Sequence, residues 1–210
     1  MIEYDVNELF PTPIIEIEIE ENTDELNSIK DFPSNIDQNN TFQGQTSKNL
    51  RVLEKCPGIR DLLLSKFNYI AEDYLKYKKK KYVITTSWIT KTLKGGYSHN
   101  HRHRNSFWSG VYYFQDEYED GSAELCFSNP NEQLSDVIFE ENDIKEDVIV
   151  NSNSAIFNPE PKLLLLFPSY LGHQILHHGI NTERLSLAFN IMPTVQWGGA
   201  DSAININWFK

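Results

Sequence analysis

Along the chain, hydrophobic and polar residues change period twice. Residues 13–20, "PIIEIEIE", alternate apolar and acidic side chains at period two, which predicts a half-buried edge strand with a charged outer face. Residues 22–30 predict a short helix. Residues 31–50, "DFPSNIDQNNTFQGQTSKNL", are rich in Asn, Gln, Ser and Gly and predict a long polar connection without regular structure. From Pro57 to about Tyr77 the apolar residues Ile59, Leu62, Leu63, Phe67, Ile70 and Tyr74 recur at helical spacing, and Pro57 suits the first helical position. The period then returns to two. "YVITTSWIT", "SFWSGVYYF", "AELCF", "DVIF", "KLLLLFP", "HQILH" and "RLSLAFNIM" are short β-branched or aromatic runs separated by turn residues, and a last strand is expected at about 202–209.

This order predicts a mainly β protein, an antiparallel sandwich or barrel with the N-terminal helices packed on its outside. The expected layout is one domain over 1–210, with a strand and helices over about 1–80 and a β core over about 82–192. The polar segment 131–160 is expected to be a loop or hairpin insertion.

Composition narrows the classes of function. Acidic residues outnumber basic ones by 30 to 19, for a net charge of −11, so a nonspecific grip on phosphate backbones is disfavoured and nucleic acid is not expected as a partner. The basic run "KYKKKKY" at 76–82 is expected to close the helix, where lysines complement its negative end. Cys56 and Cys126 form no C-x-x-C pair and no disulfide framework, which fits a reducing compartment. The N-terminus has no signal-peptide character, and the longest aliphatic run, "LLLLF" at 163–167, is far too short to span a membrane. A soluble cytoplasmic protein is expected. No G-x-S-x-G elbow and no phosphate-binding glycine loop occurs.

Candidate chemistry concentrates in "HNHRHRNSFWSGVYY", residues 99–113, which holds three of the 6 histidines. In an extended segment His99, His101 and His103 project to one side while Arg102 and Arg104 project to the other. A His-x-His pair makes a natural bite for a first-row metal and needs a third ligand from elsewhere. His173, which follows the apolar run ending in Phe-Pro-Ser, is the expected third ligand, with His177 and His178 as weaker candidates. Arg184 and Ser186 stand on the polar face of the run 183–192, where an inward guanidinium needs an anion and a hydroxyl two residues on can serve the same group.

His101-x-His103, His173 and Arg184-x-Ser186 together resemble the 2-oxoglutarate/Fe(II)-dependent oxygenase superfamily. More narrowly, "HRHRNSFWSGVYYF", the Gly121-Ser122 turn, "LFPSYLGH" and "ERLSLAFN" are similar to a group of small, mostly uncharacterised bacterial and phage-encoded members. The likeness covers about residues 82–192. It implies a double-stranded β-helix (a cupin-like jelly roll), with Fe(II) on His101, His103 and His173. It also implies 2-oxoglutarate and O2 as cosubstrates, with Arg184 and Ser186, assisted by Tyr112, on the far carboxylate. The activity implied is decarboxylation of 2-oxoglutarate coupled to hydroxylation of an unknown small molecule or peptide side chain. Trp88, Asn105, Trp108 and Asn190 are expected pocket residues. The chain departs from the family pattern at His103, which stands where the usual aspartate would be; Asp116 and Glu117 are the nearby carboxylates, in an acidic turn that reads as solvent-exposed.

Two other readings stay open. Gly95 followed by His101-x-His103 fits the start of a signature of other metal-dependent cupin enzymes, but Phe107 and Trp108 stand where its glutamate belongs, and Arg184 and Ser186 have no role in it. A non-catalytic jelly-roll module with incidental histidines is the second.

Overall fold

The computed structural model describes residues 10–21, 23–29, 34–36, 41–78, 81–131, 145, 146, 148, 151–194 and 196–204. Among the described residues ten strands lie in two antiparallel sheets: β1 (Ile15–Glu18), β2 (Ser34–Ile36), β3 (Thr41–Ser47), β4 (Tyr82–Ser98), β5 (Trp108–Tyr112), β6 (Leu125–Ser128), β7 (Ser154–Phe157), β8 (Leu163–Pro168), β9 (His173–Ile175) and β10 (Arg184–Pro193). The major sheet runs β1-β8-β5-β10-β4-β3-β2 and the minor sheet β7-β6-β9. One α-helix, α1 (Pro57–Asp73), precedes β4.

Period-two alternation divides the major sheet into two faces. On β8 and β10, Leu164, Leu166, Leu185, Leu187, Phe189 and Ile191 join Ile59, Leu63, Phe67 and Ala71 of α1 in one buried cluster. The opposite face sends Val111, Leu165 and Phe167 toward Leu125 and Phe127 of the minor sheet in a second cluster. The helix therefore packs outside a two-sheet β core, and the part of the inter-sheet space that the second cluster does not fill is a cavity. Gly110 lets the strands cross closely, because a Cβ there would lie 2.3 Å from Cζ of Phe189 and the buried ring would have to shift.

The alternating "IEIE" is an edge strand as expected: β1 pairs with β8, tucks Ile15 and Ile17 against the helix-side core and exposes Glu16 and Glu18. The segment 31–50 differs from expectation. It contains β2 and β3, which pair with each other, and β3 pairs with β4. Its inward residue Thr46 borders the cavity between the sheets rather than a packed apolar core, so no hydrophobic alternation announces the strand. The helix stops at Asp73, before the lysine run, and Lys76 already takes φ 55°. The short helix expected at 22–30 is a 3-10 helix over Asp24–Ile29. The strand expected in "DVIF", 136–139, lies outside the described residues. So does most of the one expected at 202–209, whose described part is a 3-10 turn at Ala200–Ser202 and a bridge between Trp197 and Ile204. Among the described residues no helix is long and apolar enough to cross a membrane.

Two features aim β4 at the mouth of the sandwich. Gly95, at φ 82°, sits at an irregularity in the β3–β4 pairing, and the amides of Gly95 and His178 are exchanged for the carbonyls of His178 and Gly96. This ties the end of β4 to the segment after β9. Beyond Ser98 the chain then meets β9: the amide of His101 donates to the His173 carbonyl and the amide of His173 to the His101 carbonyl, each at 3.0 Å.

Candidate metal centre

The bridge between His101 and His173 sets their rings with centroids 4.4 Å apart, and His103, whose amide donates to the Ser169 carbonyl, brings its ring to 5.2 Å from both. One potential ligand atom from each of the three lies within 4.8 Å of the others, and among the described residues this is the one such group of three. Each ring has one nitrogen engaged. His101 Nδ1 contacts the His99 carbonyl at 2.9 Å, His173 Nδ1 the Leu171 carbonyl at 3.0 Å, and His103 Nδ1 the Oδ1 of Asn190 at 2.8 Å. All three partners are oxygens that can only accept, so each Nδ1 carries a proton, and in the neutral ring Nε2 is the atom that keeps a lone pair. Three neutral imidazoles presenting Nε2 are a donor set fit for a first-row metal.

Burial reinforces neutrality. It pushes His173 down to about 3, with the neighbouring His101 adding to the effect and the Leu171 carbonyl opposing it. His103 is also lowered, first by burial and then by His101, against the bond to Asn190. Trp88 stacks on His103, centroids 5.5 Å apart and planes 17° from parallel.

The triad lines a cavity of about 520 Å³ between the sheets. Arg184, Ser186 and Ala188 of β10 line it, as do Trp88 and Thr90 of β4, Thr46 of β3 and Leu125, Phe167 and Ile175 on the apolar side. Arg184 is 1% exposed, and no carboxylate pairs with it among the described residues. Its Nη1 donates to Ser186 Oγ at 3.2 Å and its Nη2 to Tyr113 Oη at 3.0 Å, while Nε has no partner. Thr92, paired with Arg184 in the sheet register, is also buried with an unpartnered hydroxyl. A buried guanidinium with no paired carboxylate among the described residues, beside unsatisfied polar atoms, has the hydrogen-bonding capacity to take an anion.

His101, His103, His173, Arg184, Ser186 and Trp88 all meet in this cavity, whereas several other expected site residues do not. Tyr112 pairs with Leu187 and so shares its helix-side face, with Oη 3.1 Å from the Thr23 hydroxyl. Its neighbour Tyr113 points inward and meets Arg184. Trp108 shares the face of Tyr112 and packs in the core, its ring centroid 5.7 Å from that of Phe67. Asn105 is exposed in the turn after His103, whose carbonyl receives the Ser106 amide at 3.1 Å. Asn190 lies behind His103 and not on the cavity wall. Asp116 and Glu117 are exposed, and so is His177, while His178 is buried with its ring bonded to the Ala123 amide and the Thr182 carbonyl. Sequence reading missed Tyr113 and Thr92. Residues directly opposed in a sheet share a face, but which ones are opposed is not written in the alternation.

Over residues 86–190 the chain matches the family model described as "Putative 2OG-Fe(II) oxygenase". No curated protein matches it in sequence. Many solved structures are similar in fold, three of them as follows. One is a 2OG-Fe(II) oxygenase family oxidoreductase from Burkholderia pseudomallei, at 12% identity and TM-score 0.57 over 85% of this chain and 83% of that one. Another is a prolyl-4-hydroxylase from Pseudomonas putida, at 14% and 0.55 over 85% and 92%. The third is HygX from Streptomyces hygroscopicus with nickel and 2-oxoglutarate bound, at 10% and 0.58 over 87% and 84%. At such identities the likeness concerns the fold, a double-stranded β-helix, which is the architecture the motif resemblance implied.

Proposed function

Because the chain belongs to the 2OG-Fe(II) oxygenase family, we propose that His101, His103 and His173 hold Fe(II) and that Arg184, with Ser186 and Tyr113, takes the far carboxylate of 2-oxoglutarate. The enzyme would couple oxidative decarboxylation of that cosubstrate to hydroxylation of a second substrate, a small molecule or a peptide side chain. The observation that carries the reading is the buried, anion-free Arg184 in the same cavity as three imidazoles with free Nε2 atoms. When bound, iron and 2-oxoglutarate supply with O2 the oxidising power that amino-acid side chains lack.

The rest of the work falls to the chain. The hydroxyls of Ser186 and Tyr113 accept from Arg184, which leaves their own protons free to be donated to a carboxylate beside the guanidinium. Burial raises the Tyr113 pKa against the lowering influence of Arg184, so the phenol stays protonated and remains a donor. Leu125, Phe167 and Ile175 keep the opposite wall dry, which strengthens each of these hydrogen bonds. The His103 ligand is neutral where the superfamily carries aspartate, so the protein contributes no negative charge to the metal. The two carboxylates of the cosubstrate then become the main anions of the site. Two buried cysteines outside any disulfide suit a reducing cytoplasm, where Fe(II) persists.

Anaerobic titration of the Fe(II)-loaded protein with 2-oxoglutarate tests this reading. A visible metal-to-ligand charge-transfer band that saturates at one equivalent is expected. Iron bound without a band would point to a different cupin chemistry. Absence of stoichiometric iron would return the fold to a binding module.

A further inference from the structure

The three histidines are held in their tautomers by unequal means. His101 and His173 each use the carbonyl two residues back, a local contact their own segments supply. For His103 the equivalent carbonyl is that of His101, which already receives the amide of His173 at 3.0 Å. Its acceptor instead comes from β10, 87 residues away: the Oδ1 of Asn190.

Asn190 is in turn held from three sides. Its Oδ1 also accepts from the Ser109 hydroxyl at 2.8 Å, and its Nδ2 donates to Thr86 Oγ1 at 2.9 Å. The Ser109 hydroxyl has thereby given up its one proton, so at 2.7 Å it receives that of Ser169. The amide thus draws on β4, β5, β10 and the segment between β8 and β9, and every polar atom in it is satisfied. Next to it the β4–β10 register shifts, after the Asn190–Thr86 pair.

We infer that Asn190 is a positioning residue that makes His103 a competent metal ligand by holding its Nδ1 proton and leaving Nε2 unprotonated toward His101 and His173. The inference rests on the triad reading above. The sense of the amide decides the outcome: turned over, it would present a donor to Nδ1 and move the ring proton to Nε2, where a metal cannot bind. Among the three ligands only His103 has a side-chain acceptor, so it is the one whose donor strength a substitution can tune. An amide there keeps the ligand neutral. A carboxylate in the same place would pull the Nδ1 proton harder and return, one bond further out, some of the negative charge lost with the superfamily aspartate.

Proton NMR of the Co(II)-loaded protein in water tests the inference, because each metal-bound imidazole with a protonated Nδ1 gives one exchangeable, strongly shifted line. Three lines are expected. Asn190→Asp, which keeps size and shape, should move one line, leave two in place and tighten Co(II) binding. Asn190→Ala should lose one line to solvent exchange and weaken Co(II) binding by roughly 10–100-fold. The Asp variant keeps the test intact even if the Ala variant misfolds. Three unmoved lines with unchanged affinity in the Asp variant would overturn the role of Asn190 while leaving the triad standing. Fewer than three lines in the unsubstituted protein would overturn the triad, and the inference with it.

Discussion

Arg184→Met separates an anion site from a structural ion pair by the sign of its effect. A buried arginine paired with a carboxylate costs roughly 3–5 kcal/mol to remove, because the partner is left charged and unpaired. Arg184 has no such partner among the described residues and is 1% exposed, so it carries a desolvation penalty without a compensating charge. Methionine fills similar volume and removes that penalty. It leaves the hydroxyls of Ser186 and Tyr113 each short of one bond, worth about 1 kcal/mol apiece. The two effects nearly cancel or favour the variant, so the metal-free protein should be unchanged or more stable by up to about 2 kcal/mol, a rise in Tm of roughly 4–8 °C at this chain length. Binding should move the other way. Losing at least two charge-assisted hydrogen bonds to the carboxylate removes about 3 kcal/mol, on the order of 10²-fold in Kd for 2-oxoglutarate. Thermal unfolding without ligand and anaerobic calorimetric titration of the Fe(II)-loaded protein measure the two sides. Destabilisation of the metal-free variant by about 3 kcal/mol or more would reveal a structural counter-anion and refute the empty-site reasoning; undiminished affinity would move the anchor elsewhere.

The two adjacent tyrosines should behave differently: Tyr113→Phe weakens 2-oxoglutarate binding by about tenfold for one lost hydrogen bond, whereas Tyr112→Phe leaves it unchanged, and equal effects would contradict the strand parity. Metal-free stability should depend on pH in a defined direction. His173 titrates near 3 when folded against an ordinary 6.5, so its contribution is complete above 6.5 and is lost as pH falls toward 3, with a slope approaching about 1.4 kcal/mol per pH unit. Urea unfolding of the unsubstituted protein and of His173→Gln across that window should give a flatter profile for the variant, and parallel profiles would rule the assignment out. Gly110→Ala forces a Cβ into the buried Phe189 ring and should cost about 1–3 kcal/mol by chemical denaturation; a cost under about 0.5 kcal/mol would mean the ring has room to move.

Much of the site was legible because strand chemistry has period two. His101 and His103, or Arg184 and Ser186, share a side whenever their segments are extended, whatever surrounds them. The helix expected from Pro57 to about Tyr77 was legible from its 3.6-residue period except at its end, which falls at Asp73, and the apolar strands 163–168 and 184–193 were legible because buried faces must be apolar. The hairpin of β2 and β3 was not. Its Thr46 faces the cavity and not the packed core, so "TFQGQTS" carries no apolar stripe, and it is a strand because β4 offers an edge to pair with. Trp108 and Asn105 were misplaced because aromatic or amide character says nothing about the face on which a residue stands.

By itself the sequence determined which residues face together within one segment, which side chains of a metal-ligating type it contains, and that an inward arginine would need an anion. The tertiary structure decided which segments meet. It set His173 opposite His101, put Tyr113 rather than Tyr112 beside Arg184, and brought Asn190 to His103 across 87 positions. The reason is physical: side-chain alternation follows from local backbone geometry, whereas strand pairing rests on backbone hydrogen bonds that are the same for every residue. Register is therefore chosen by how the whole barrel packs and closes.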